Sequence, residues 1–190
     1  MLKLLSNRIK SFALKKYLII FSIFFILTAW ILNGNLIGIE KLKEITNGID
    51  ILDMKLFYNP DVVYNTLEKF DFIGRQFYCR ILFLDFLFII SFAFFNSILI
   101  SYLLKNLPIS KKSQYLNALP FIRGFFDFIE NIIFIIIIIF YPKIIPFLVW
   151  IGYTMTFMKW VTLLIIVITM IILIILNLRI IVKNLKMKFD

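Results

Sequence analysis

The chemistry-bearing residues of this chain are concentrated in one short stretch, Arg123-Gly-Phe-Phe-Asp127-Phe-Ile-Glu130-Asn131. At about 100° per residue, Arg123, Asp127, Glu130 and Asn131 fall within roughly 100° of one another on a helix. Asp127 follows Arg123 by four residues, within ion-pair reach. Glu130 and Asn131 come about one turn later, and the opposite face is Phe and Ile. Ionisable groups inside an apolar run are costly and each is a functional hypothesis. This face suits a polar pocket for an ion, a proton or a lipid headgroup, with Glu130, which has no basic neighbour on its own helix, as the titrating group. It equally suits a structural role, an internal salt bridge with an asparagine that fixes helix packing.

A second set lies upstream. Asp85 and Asn96 are eleven residues apart, which is three helical turns and one face. Counted from the ends of two antiparallel helices, Asn96 matches the depth of Asp127 and Asn131, so these groups are expected to face each other. Asp85 comes level with Lys159, and an Asp85–Lys159 structural ion pair is expected, with Arg75 and Arg80 as alternative partners.

Other chemistry is excluded by residue type. Histidine is absent, which removes the commonest general base and metal ligand. The single cysteine, Cys79, permits no intrachain disulfide. It sits beside Arg80 at an expected interface and is read as inert. There is no CxxC, HExxH or glycine-rich phosphate loop. No catalytic residue, metal ligand or cofactor is assigned. Thr162 and Thr169 are expected to bond their own backbone.

The elements that must carry these residues follow from hydropathy. The chain has 190 residues, 62% of them hydrophobic, and a mean hydropathy of +0.98. A soluble domain has about half its residues apolar, and here the excess falls in long runs. The reading is an all-α membrane protein, a four-helix transmembrane bundle with an amphipathic extracytoplasmic cap. The spans are placed at about 17–37, 81–104, 121–141 and 160–182. The stretch 147–182 is too long for one crossing at about 1.5 Å per residue, so residues 147–158 are set apart as a short outer helix, with Lys159-Trp160 as an interface anchor.

The basic start and first apolar run also fit a secretory leader. No small-x-small cleavage site follows, and the run continues through Trp30, so an uncleaved helix is expected. The external loop 38–80 holds a helix start at Asn59-Pro60-Asp61, after which Val63, Leu67 and Phe70 recur at helical spacing. Gly74 is expected to break the chain before the second span. The run Ile132–Ile139 is read as lipid-facing drift in composition.

The net charge is +10. Its basic residues sit at the ends of apolar runs rather than on an aromatic-interleaved face, which argues against nucleic acid. The N-terminus, the 105–120 loop and the C-terminus are basic, whereas the 38–80 loop is nearly balanced. Both termini are therefore expected to be cytoplasmic in a multi-pass protein of the cell membrane.

Leu52-Asp53-Met54, Tyr58, Tyr64, Gly74-Arg75 with Tyr78, Asp85, and Asp127 with Glu130-Asn131 together resemble a family of small, uncharacterised four-span bacterial integral membrane proteins. The resemblance covers about residues 17–182. It implies the fold and a role for the polar face, and no substrate.

The leading functional expectation is a non-enzymatic lipid or small-molecule binder, or a subunit of a membrane complex. The alternatives are a proton- or ion-coupled transporter using Glu130 and Asp127, and an intramembrane lipid-modifying enzyme. The expected partners are the lipid bilayer and either a second copy or a larger membrane complex.

Overall fold

A computed structural model describes residues 2–105, 107–108 and 110–189. The described residues are all-helical, with seven α-helices in order: α1 (Leu2–Ser11), α2 (Lys15–Asn33), α3 (Ile39–Ile45), α4 (Pro60–Lys69), α5 (Asp71–Leu104), α6 (Leu119–Phe140) and α7 (Pro146–Phe189). Two 3₁₀ segments, Leu52–Met54 and Lys111–Ala118, lie between α3 and α4 and between α5 and α6.

Three helices are long and apolar enough to cross a membrane: α2, α5, and α7 over Pro146–Leu185. The 22-residue α6 carries Arg123, Asp127 and Glu130, which set it apart from those three. It packs between α5 and α7, and α2 packs on α5. The α2–α5 contact is aromatic, with Phe25 stacked on Phe95 at 5.2 Å and Phe21 on Phe94 at 5.2 Å. A buried hydroxyl pair, Thr28–Ser91 at 2.6 Å, lies in the same interface. Ile19, Ile23 and Leu27 on α2 and Leu164, Ile168 and Ile171 on α7 are exposed. Apolar faces left open in this way suit hydrocarbon rather than water.

The amphipathic α1 lies against the Lys111–Ala118 segment. Ser6 Oγ donates to the Gln114 carbonyl at 3.2 Å, Asn117 Nδ2 donates to the Ser6 carbonyl at 3.1 Å, and Ile9 and Ala13 are buried.

The start of α4 is as the sequence dictates. Pro60 opens the helix, and Asn59 Oδ1 accepts from the Val62 N–H at 2.9 Å, satisfying a donor that a helix start otherwise leaves bare. Two expected boundaries are not present. The break falls at Asp71, not at Gly74. Asp71 adopts φ +53° and accepts the Gly74 N–H at 2.9 Å, a conformation that a short polar side chain tolerates. Gly74 lies inside α5, where a Cβ would come within 3.0 Å of Thr46 Cγ2, so it serves close packing of the 38–80 segment. The expected division of 147–158 from 160–182 is absent too, because α7 runs unbroken for 44 residues. That is about 66 Å, against a hydrocarbon core of about 30 Å, so the surplus length projects beyond any single crossing.

The 38–80 segment is packed rather than draped. Leu42, Leu52, Val63, Leu67 and Phe70 share a buried core with Tyr78, Ile81 and Leu82 of α5, Phe134 and Ile137 of α6 and Val149 of α7. Burying large apolar side chains contributes about 1.5–3 kcal/mol each, which holds the Leu52–Met54 turn against the ends of three helices.

Candidate functional site

Six charged residues are buried among those described: Asp53, Asp85, Arg123, Asp127, Glu130 and Lys159. The packing of α5, α6 and α7 under the Leu52–Met54 turn brings them together. Arg123 Nη2 pairs with Asp127 Oδ2 at 2.9 Å, the i,i+4 contact expected from the sequence. The Arg123 guanidinium also lies over the Phe92 ring, 4.2 Å from its centroid, a geometry that favours a cation. Its Nε and Nη1 have no hydrogen-bond partner among the described residues.

Lys159 of α7 is the hub. Its Nζ lies 3.2 Å from Asp127 Oδ1, is paired with Glu130, and donates to the main-chain carbonyl of Asp53 at 3.1 Å. Three acceptors thus surround the three protons of one ammonium. The expected Asp85–Lys159 pair is not formed. Because α7 starts at Pro146, Lys159 sits thirteen residues, about 20 Å, along the helix, level with Asp127 and Glu130. It does not sit at the start of a span. Asp85 accepts instead from Asn131 Nδ2 at 2.7 Å, and the same amide nitrogen lies 3.4 Å from the Leu82 carbonyl.

Asn96 does not join this group. Its Nδ2 donates to the Phe92 carbonyl at 2.8 Å, one turn back on its own helix. Arg75 is spent elsewhere, donating to the Leu67 carbonyl at 2.7 Å. Thr162 bonds the Met158 and Lys159 carbonyls of its own helix.

Residues outside the α6 face complete the site. Thr156 Oγ1 donates to Glu130, and Tyr58 and Thr156 share a hydrogen bond at 2.7 Å. With the threonine proton directed at the carboxylate, Tyr58 is the donor to Thr156. Tyr78 donates to Asp53 Oδ1 at 2.9 Å. Burial pushes the Asp53 carboxyl above its ordinary range, outweighing the Lys159 charge and the Tyr78 hydrogen bond, which pull it down. Helical spacing gave no signal for Asp53, Tyr58 or Tyr78, which sit in the 38–80 segment. Thr156 carried no signal at all.

A cavity of about 150 Å³ opens onto the cluster. Asp53, Asp85, Arg123, Asp127 and Lys159 line one side of it, and Leu32 and Asn33 at the end of α2 lie on the other. Glu130 and Asn131 lie behind this wall, both fully buried. Larger apolar hollows flank the end of α2 and the α5–α6 contact at Gly124, and neither touches a charged residue of the cluster. The described residues contain no group of acids and cysteine spaced to hold a metal ion. No family model, curated protein or solved structure matches this chain.

Proposed function

We propose that the chain is a four-span integral protein of the cell membrane, α6 joining α2, α5 and α7 as the fourth crossing, with both termini cytoplasmic. Two observations support α6 in that role, and a third supports the orientation. Its charges find partners inside the protein rather than facing outward, the condition under which charges are tolerated at membrane depth. Its outward residues, Phe125, Phe128 and Ile139, are apolar and exposed. At the end of the bundle remote from the 38–80 segment, Lys15, Lys16, Lys105, Arg179 and Lys183 are exposed, the bias found on cytoplasmic faces. The 38–80 segment is then the extracytoplasmic cap.

Within this frame the protein is a non-enzymatic binder of a small cation that enters beneath the cap. One observation carries the reading: four buried carboxylates, Asp53, Asp85, Asp127 and Glu130, meet only two buried cations, Arg123 and Lys159. An unbalanced buried charge costs several kcal/mol, and a cationic ligand beside Asp53, in the wall of the cavity, would offset part of it. At about 30 Å³ per water the cavity holds roughly five waters, the size of a small amine.

The test is thermal unfolding of the detergent-solubilised protein with a panel of small amines and monovalent cations. The midpoint should rise with at least one of them in the wild type and stay put in Asp53→Asn. A panel without effect, or an equal rise in both proteins, removes the reading.

A transport reading has one observation in its favour. The hydroxyls of Tyr58 and Thr156 form a hydrogen-bonded path from the cap to Glu130. Uptake into proteoliposomes that is indifferent to both Glu130→Gln and Asp127→Asn would discard it.

A further inference from the structure

We propose that Asp85 holds a proton and forms a neutral acid–amide pair with Asn131, deep in the bundle beside the cavity. The inference deepens the reading of a cation binder, since it assigns one of the positive charges that the cluster lacks, but it stands on different atoms. Asn131 is fully buried. Its Nδ2 is fixed by two acceptors on the same side, Asp85 Oδ2 at 2.7 Å and the Leu82 carbonyl at 3.4 Å. Its Oδ1 meets no donor among the described residues.

A buried amide oxygen without a donor costs about 1–3 kcal/mol. Turning the amide over does not help, because it would set Oδ1 against the Leu82 carbonyl and leave the nitrogen bare. A carboxylic acid at Asp85 resolves both. It accepts from the Asn131 nitrogen and donates its own hydrogen to Oδ1, closing a ring of two hydrogen bonds.

The charged groups around Asp85 point the same way. Asp127 on α6, Asp53 on the turn and Lys159 on α7 line the same cavity as Asp85. Yet the Lys159 ammonium is already held by Asp127, Glu130 and the Asp53 carbonyl, and Arg123 is held by Asp127. Neither cation makes an ion pair with Asp85. A carboxylate at this place would have the Asn131 amide as its one side-chain donor among the described residues. With Asp85 protonated, three carboxylates face two cations, and one net negative charge is left for a monovalent ligand.

The experiment is infrared difference spectroscopy on the full-length protein in detergent at neutral pH without ligand. Subtracting Asp85→Asn from the wild type should leave a carbonyl band of a protonated carboxyl, displaced by exchange into heavy water. An asparagine at 85 can make the same ring with Asn131, so that variant should unfold at nearly the wild-type temperature. In Asn131→Ala the band should move to higher frequency, because its carbonyl loses the amide N–H. This keeps the test open should Asp85→Asn fail to fold. A difference spectrum showing only carboxylate bands overturns the proposal. Failure of every amine to shift the unfolding midpoint would leave this band untouched, so the two readings fail separately.

Discussion

Tyr78 donates its phenolic hydrogen to Asp53 Oδ1 at 2.9 Å, across 25 residues of chain, and both side chains are buried. This bond ties the turn below the cap to the wall of α5. The same turn delivers the Asp53 carbonyl to Lys159. Removing the phenolic oxygen leaves a buried carboxyl short of a donor, at a cost of about 1–3 kcal/mol. Tyr78→Phe should lower the unfolding midpoint in detergent. The double variant with Asp53→Asn should lose less than the sum of the two single losses, because the partners interact directly. Strict additivity would show that the bond contributes nothing.

Asp53 also sets a pH dependence. Its folded-state carboxyl lies above the ordinary aspartate range because of burial, so the folded protein binds this proton more tightly than the unfolded chain does. As pH rises from the ordinary aspartate value through the folded one, the folded state gives up a proton at a cost. Stability from this group therefore falls over that window and levels off above it. Asp53→Asn should flatten this part of a stability–pH curve. A wild-type curve and a variant curve with equal slopes there would contradict it.

Lys159 serves three acceptors, whereas each acid of α6 has other company. Lys159→Met strands Asp127, Glu130 and the Asp53 carbonyl at once, and breaking a buried pair from one side costs about 3–5 kcal/mol. Asp127→Asn leaves the Lys159–Glu130 contact in place and should cost clearly less. Chemical or thermal unfolding of the two variants in one detergent gives the order, and an inverted order would remove Lys159 from the centre of the network.

The proposed orientation is open to labelling. In a Cys79→Ser background, Glu44→Cys on α3 should react with a membrane-impermeant maleimide in intact cells. Lys105→Cys, at the end of α5, should react only after permeabilisation. Both native side chains are exposed, so lack of reaction reflects sidedness rather than burial. Labelling of position 105 in intact cells would overturn the proposed arrangement.

How much of this was legible in the sequence differs by distance. Local signals held: Asn59 caps α4, and Arg123 meets Asp127 one turn on. Both depend on residues three or four apart in one helix. Asp85, Asn131 and Lys159 were visible as polar residues in apolar runs, but their pairing depends on the register between helices. That register is set by the Phe140–Pro146 turn and by where α7 begins. Starting the last helix at residue 160 rather than Pro146 put Lys159 at an edge and matched it with Asp85. The place of Asp53 was out of reach for a different reason. A short turn enters the bundle because Leu42, Leu67 and Phe70 pack around it, a tertiary event that no periodicity records.

Lys159 and the basic tail ride on the same unbroken α7. From the lysine to Phe189 the rod extends 30 residues, about 45 Å, with neither proline nor glycine along it to absorb a bend. It therefore behaves as a lever with its short arm under the cap. A change of tilt at the cationic end of the network would be felt along the whole rod, through the contact of Asn177 with the Leu103 carbonyl of α5.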